Sequence, residues 1–121
     1  MPLQYLDFDY SEDADGHGSF DAMASAAPAQ LAALQAEVLQ VLQWAQGEFP
    51  SGPAPLDEGG DWDCELQGVQ EVATALEVRY DAQAGQLHTQ AGAAAAPRTT
   101  LSLTLSGTPQ FCAALRQAFG L

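Results

Sequence analysis

Thr100-Leu101-Ser102-Leu103-Thr104-Leu105-Ser106-Gly107-Thr108-Pro109-Gln110-Phe111-Cys112 holds two elements and the switch between them. Leu101, Leu103 and Leu105 alternate with Thr100, Ser102 and Thr104, which is the period of a strand with one face buried. Thr108 then stands as a helix N-cap with Pro109 at the first helical position. Phe111, Cys112, Leu115 and Phe119 follow on one side, and Gly120 closes the helix.

Upstream of this pair, Leu76, Val78 and Tyr80 alternate with Glu77 and Arg79. Asp81 to Gly85 turns the chain into a short strand, Gln86 to Gln90, so a hairpin is expected, followed by a small-residue loop from Ala91 to Pro97. Trp62, Cys64 and Leu66 alternate with Asp61, Asp63 and Glu65, and Gly68 suggests a bulge or bend. Before the Pro- and Gly-rich connection 47–60, Pro28 opens a helix carrying Leu31, Leu34, Val38, Val41, Leu42, Ala45 and Phe49 at the helical period. At the front, Leu6, Phe8 and Tyr10 alternate with Tyr5, Asp7 and Asp9 over residues 3–11. Phe20, Ala22 and Ala24 alternate with Asp21, Met23 and Ser25 after the polar stretch 12–18. The resulting order, β-β-α-β-β-β-β-α, predicts an α+β domain spanning residues 1–121. Its sheet is mostly antiparallel, with both helices on one face.

Composition supports a folded chain and narrows its chemistry. Of 121 residues 47% are apolar and 16% charged, the balance of a globular domain that buries roughly two-thirds of its unfolded surface. Sixteen acids face three bases, all arginines (Arg79, Arg98 and Arg116), for a formal net charge of −13. Without a lysine there is no Schiff-base nucleophile and no P-loop. A polyanion would be repelled, so nucleic acid and anionic membranes are not expected partners, whereas a basic protein is. The first residues lack the basic and apolar regions of a secretory signal, and Cys64 and Cys112 lie far apart, outside any C-x-x-C spacing. Reduced thiols and a cytoplasmic address are therefore expected.

Eleven acids fall in two segments: Asp7, Asp9, Glu12, Asp13, Asp15 and Asp21, then Asp57, Glu58, Asp61, Asp63 and Glu65. Were the first and third strands neighbours, Asp7, Asp9, Asp61, Asp63 and Glu65 would share one face. Strand alternation alone also puts polar residues on a solvated outer face. Asp13-x-Asp15-Gly16 is similar to the middle of an EF-hand loop, but the frame that fits Gly16 puts Ala22 where the bidentate Glu belongs. Asp13 and Asp15 are thus weak metal candidates, with no dedicated metal or cofactor site implied. His17 and His88 have no ligand spacing, and Gly16-His17-Gly18-Ser19 is not a nucleophile elbow. Leu39 and Trp44 flank the buried stripe of the first helix. They either pack under the connection 47–60 or form a contact with a partner or a second subunit, as in a homodimer.

The segments Tyr5-Leu6-Asp7-Phe8-Asp9-Tyr10-Ser11-Glu12-Asp13, Phe20-Asp21-Ala22-Met23-Ala24-Ser25 and Gly59-Gly60-Asp61-Trp62-Asp63 resemble a group of small acidic bacterial proteins of unknown function. The resemblance implies a bacterial origin and assigns no residue a role. The expectation from the residues is a non-enzymatic protein-interaction role, as an immunity-like inhibitor, small chaperone or adaptor. It would use an acidic sheet face formed by Asp7, Asp9, Asp61, Asp63 and Glu65 with Trp44 as an apolar contact. The alternative is a divalent-metal-dependent or carboxylate-using enzyme at the same acids.

Overall fold

The strand read in residues 100–105 is the spine of the sheet. In the structure, a computed structural model that describes residues 2–121, it runs as Arg98–Gly107 (β6) and pairs on both sides. Gly18–Ala26 (β2) lies antiparallel on one side, and Trp62–Glu71 (β3) lies antiparallel on the other. Asp9–Glu12 (β1) extends the sheet beyond β2, giving the order β1-β2-β6-β3. Thr74–Asp81 (β4) and Gln86–Ala94 (β5) pair only with each other. Pro28–Glu48 (α1) and Pro109–Phe119 (α2) complete the expected α+β order.

One face of the four-stranded sheet is apolar because the alternation in each strand is in register. Phe20 is opposite Leu105, Ala22 opposite Leu103 and Ala24 opposite Leu101, while Cys64 and Leu66 meet Leu105 and Leu103 from the other side. Both helices cover this face. Leu34, Val38, Val41 and Ala45 of α1 and Phe111, Cys112, Leu115 and Phe119 of α2 are buried with Trp62, Leu103 and Leu105. Cys64 and Leu101 pack against that core while staying partly exposed. The Trp62 ring stacks on Phe111 at 5.8 Å and 4°, and its indole N–H donates to the Phe49 carbonyl at 3.3 Å. Trp44 closes the cluster through Phe49, Phe111 and Phe119. Thr108 caps α2 as expected, accepting from the Phe111 N–H.

Two boundaries and one expected bulge differ from the reading of the sequence. The first strand begins only at Asp9, and residues 4–6 stay out of the ladder because the N–H groups of Gln4, Tyr5 and Leu6 all donate to the Glu37 carboxylate. The stretch 91–94, expected as loop, belongs to β5, whose pairing with β4 reaches Thr74 opposite Ala94. Gly68 makes no bulge. It stays in register opposite Leu101, and a Cβ there would meet Leu101 Cδ2 at 3.3 Å, so glycine makes room for that leucine. The irregularity falls instead between Thr74 and Leu76.

Strands β3 and β6 run out of the body as a ribbon. Their pairing ends at Glu71 opposite Arg98, the Ala95 N–H bridges to the Ala73 carbonyl at 2.8 Å, and β4 and β5 continue beyond. The tip is capped by Asp81, whose carboxylate accepts from the N–H groups of Gln83 and Ala84. It lies 3.4 Å from His88 Nε2. The Ala84 N–H first, then His88, hold this carboxyl below its ordinary pKa. Gly85, at φ +64°, completes the turn in a conformation that favours glycine.

Candidate functional site

Of the acids read in the sequence, Asp9, Asp21, Asp63 and Glu65 lie on the outer face of the sheet. On β2 the exposed positions are Asp21, Met23 and Ser25. The register sets Asp9 beside Asp21, Asp21 beside Thr104, and Thr104 beside Glu65, so one row crosses all four strands. The next row runs Ser11, Ser19, Ser106 and Asp63. Strands β1 and β3 are therefore opposite edges and not neighbours. With strands about 4.8 Å apart, Asp9 and Glu65 stand roughly 14 Å from each other. The Thr104 hydroxyl donates to Asp21 at 2.7 Å, which holds the central carboxylate of the row.

Asp7, Asp9 and Asp21 line an open groove of about 410 Å³ with Met23, Ser102 and Thr104. Met23 is 70% exposed, a large apolar side chain in the same groove as these carboxylates. Asp63 accepts from the N–H of Cys64 at 2.9 Å. Asp61 lies before β3, where Ser51 donates to its carboxylate at 3.3 Å and the Thr108 N–H to its carbonyl, so it ties loop 51–61 to the helix-bearing end. Trp44 is half-buried with its ring against three phenylalanines, while Leu39 is 52% exposed.

The turn between β1 and β2 brings Asp13, Asp15 and His17 together, with ligand atoms within 4.8 Å of one another. One Asp13 oxygen already caps the turn, accepting from the N–H groups of Asp15 and His17, and the other lies 3.5 Å from His17 Nδ1. Three exposed or half-exposed groups fall short of the six to eight oxygens calcium takes. Millimolar Ca²⁺ or Mg²⁺ should therefore stabilise the fold by less than about 1 kcal/mol. A dedicated site at a hundredfold excess of ligand would give about 2.7 kcal/mol. Thermal melts of the wild type and of Asp13→Asn with Asp15→Asn measure the difference. A shift of the larger size, lost in the double variant, would show a true site.

The nucleophile candidates are quiet. Burial pushes both thiols above their ordinary pKa, with the Asp63 charge adding to the effect at Cys64. Neither is poised as a thiolate. The Tyr10 hydroxyl donates to Glu12 at 2.7 Å, which pushes its pKa up to about 12, and the Arg116 guanidinium sits 4.5 Å over its ring. Gly18 lets this group close on α2, since a Cβ there would meet Cys112 Sγ and Tyr10 Cε1 at 2.6 Å.

Two features were not anticipated from sequence. Glu37 is 8% exposed within the apolar stripe of α1, and the hairpin β4–β5 exposes Leu76, Val78, Tyr80 and Leu87 by 57–67%. No helix among the described residues is long and apolar enough to cross a membrane. No protein-family model, curated protein or solved structure matches this chain.

Proposed function

We propose that the chain is a non-enzymatic protein-interaction module whose partner presents a basic surface to the outer face of the sheet. The observation that carries this reading is the cross-strand row Asp9, Asp21, Thr104 and Glu65, with Met23 exposed beside it. A net charge of −13 steers a cationic surface toward the chain, and an exposed apolar group in the same groove as Asp7, Asp9 and Asp21 supplies a contact that slows dissociation once water is excluded. Asp7 and Asp63 border the same face. Two free cysteines fit a reducing bacterial cytosol as the place of action. An immunity-like inhibitor or an adaptor would use such a face in the same way.

The test is capture from bacterial lysate on immobilised protein, followed by rate measurement on the recovered partner. Asp9→Asn, Asp21→Asn and Glu65→Gln together should slow association about tenfold or more at low salt, with a smaller effect at high salt. Asp61→Asn, which lies outside the row, removes one charge from the long-range field only and should slow association by less than about twofold. A specific partner indifferent both to salt and to the triple variant would overturn the reading.

A further inference from the structure

We infer that residues 74–94 form an arm that docks into the apolar groove between α1 and the sheet of a second copy of this chain. Two chains would then associate through two reciprocal arm-in-groove contacts. The arm is an unfinished piece of structure. Every residue of β4 and β5 is exposed except Asp81, which is half-exposed, and a two-stranded hairpin as open to solvent as this is marginal in water. Its register places Tyr80 opposite Leu87, Val78 opposite Thr89 and Leu76 opposite Ala91, so its large apolar side chains share one face. A contiguous apolar face of this kind marks a contact surface, unlike single scattered leucines.

The same chain carries a matching recess. Val38, Leu39 and Leu42 of α1 and Leu66 and Leu101 of the inner sheet face, with Gln35, line a groove of about 340 Å³. Leu39 and Leu66 are each about half exposed there.

Charge selects a second copy as the occupant. Two chains of net charge −13 repel each other across most of their surfaces. The arm, however, carries only Glu77, Arg79 and Asp81 as charged residues besides His88, and no charged residue lines the groove. This is where two such chains meet without opposing carboxylates. A basic partner would find no acid to pair with in the groove and would be drawn to the outer face instead. Edge-to-edge pairing through β3 is disfavoured, because Asp63, Glu65 and Glu71 on that strand would confront their own copies. Size sets the strength: about half of the 8 and 9 strand residues lie on the apolar face of the arm, and with the six groove residues they give roughly 15 residues a side, below the 20–30 of a standard interface and in keeping with a concentration-dependent association. Reciprocal exchange closes as a two-fold dimer.

Sedimentation velocity and light scattering from low micromolar to hundreds of micromolar should show the mass rising from 12.7 kDa toward twice that value. Salt should strengthen the association by screening the repulsion. Val78→Glu in the arm and Leu39→Glu in the groove should each weaken it by more than about tenfold. Both positions are more than half exposed, so these variants keep the fold. Replacing 74–94 by a short turn retains β1-β2-β6-β3 and should give a monomer. Mixing the arm variant with the groove variant at high concentration should restore hetero-association, since one intact arm meets one intact groove. A wild type monomeric throughout, a dimer that survives all three changes, a mixture that does not associate, or a dimer dissolved by salt would each overturn the inference. The triple variant of the outer face carries three fewer negative charges per chain and should dimerise at least as tightly as the wild type while losing the basic partner, which separates this proposal from the basic-partner reading.

Discussion

Leu103→Ala should lower the free energy of unfolding by about 2–5 kcal/mol. Leu103 is 1% exposed on the central strand, flanked in register by Ala22 on one side and Leu66 on the other, with the two helices above. Ladder hydrogen bonds on both edges of β6 prevent the backbone from moving in, and Ala22 has no side-chain length with which to fill the void. The cavity would therefore persist, placing the cost toward the upper part of that range. Urea denaturation should show a lower midpoint at an unchanged slope, since neither end state changes its exposed area much. Met23→Ala, one residue along β2 from Ala22 but on the outer face, should stay within about 0.5 kcal/mol. Equal midpoints for Leu103→Ala and wild type would overturn the packing of β6 described above.

The contrast between those two positions also shows why much of the fold is legible in the sequence. Alternation in residues 20–25 and 100–105 reports a buried face because a sheet covered on one side demands it, and Thr108-Pro109 marks the start of α2 through local backbone chemistry alone. The strand order is a long-range property. Nothing in residues 7–9 or 61–65 indicates that β2 and β6 lie between them, so the acids read as one patch are spread across the full width of the sheet. Alternation also reports that a strand has two unlike faces without saying that anything covers the apolar one. Leu76, Val78 and Tyr80 carry the same signal as Leu101, Leu103 and Leu105, yet stand in solvent. The run 91–94 is small and featureless, and its strand conformation is imposed by pairing with β4. For the candidate site, the exposed positions follow from the period of two, whereas the row through Thr104 required the register.

Glu37→Ala should cost about 2–4 kcal/mol, the second large effect expected, and it should act on the N-terminal segment. Glu37 sits in α1 three residues after Leu34 and four before Val41, within the apolar stripe, so a charged group there requires partners. It finds them in the backbone. The N–H of Gln4 donates to one carboxylate oxygen, and those of Tyr5 and Leu6 donate to the other at 2.9 and 2.7 Å. Hydrogen bonds to a charged acceptor contribute about 1.5–3 kcal/mol each, but the segment is partly solvated at Gln4 and Tyr5, so water recovers some of the loss. The buried Leu6 amide has least access to water and should account for most of the cost. Glu37→Gln keeps one acceptor oxygen but turns an amide NH₂ toward backbone donors, so its cost should fall between those of wild type and alanine. Hydrogen exchange locates the effect: the Tyr5 and Leu6 amides should lose protection in both variants, while amides of β6 change only as global stability changes. Unchanged exchange at Leu6 in Glu37→Ala would mean that the carboxylate does not hold this segment. The exclusion of residues 4–6 from the ladder would then need another cause.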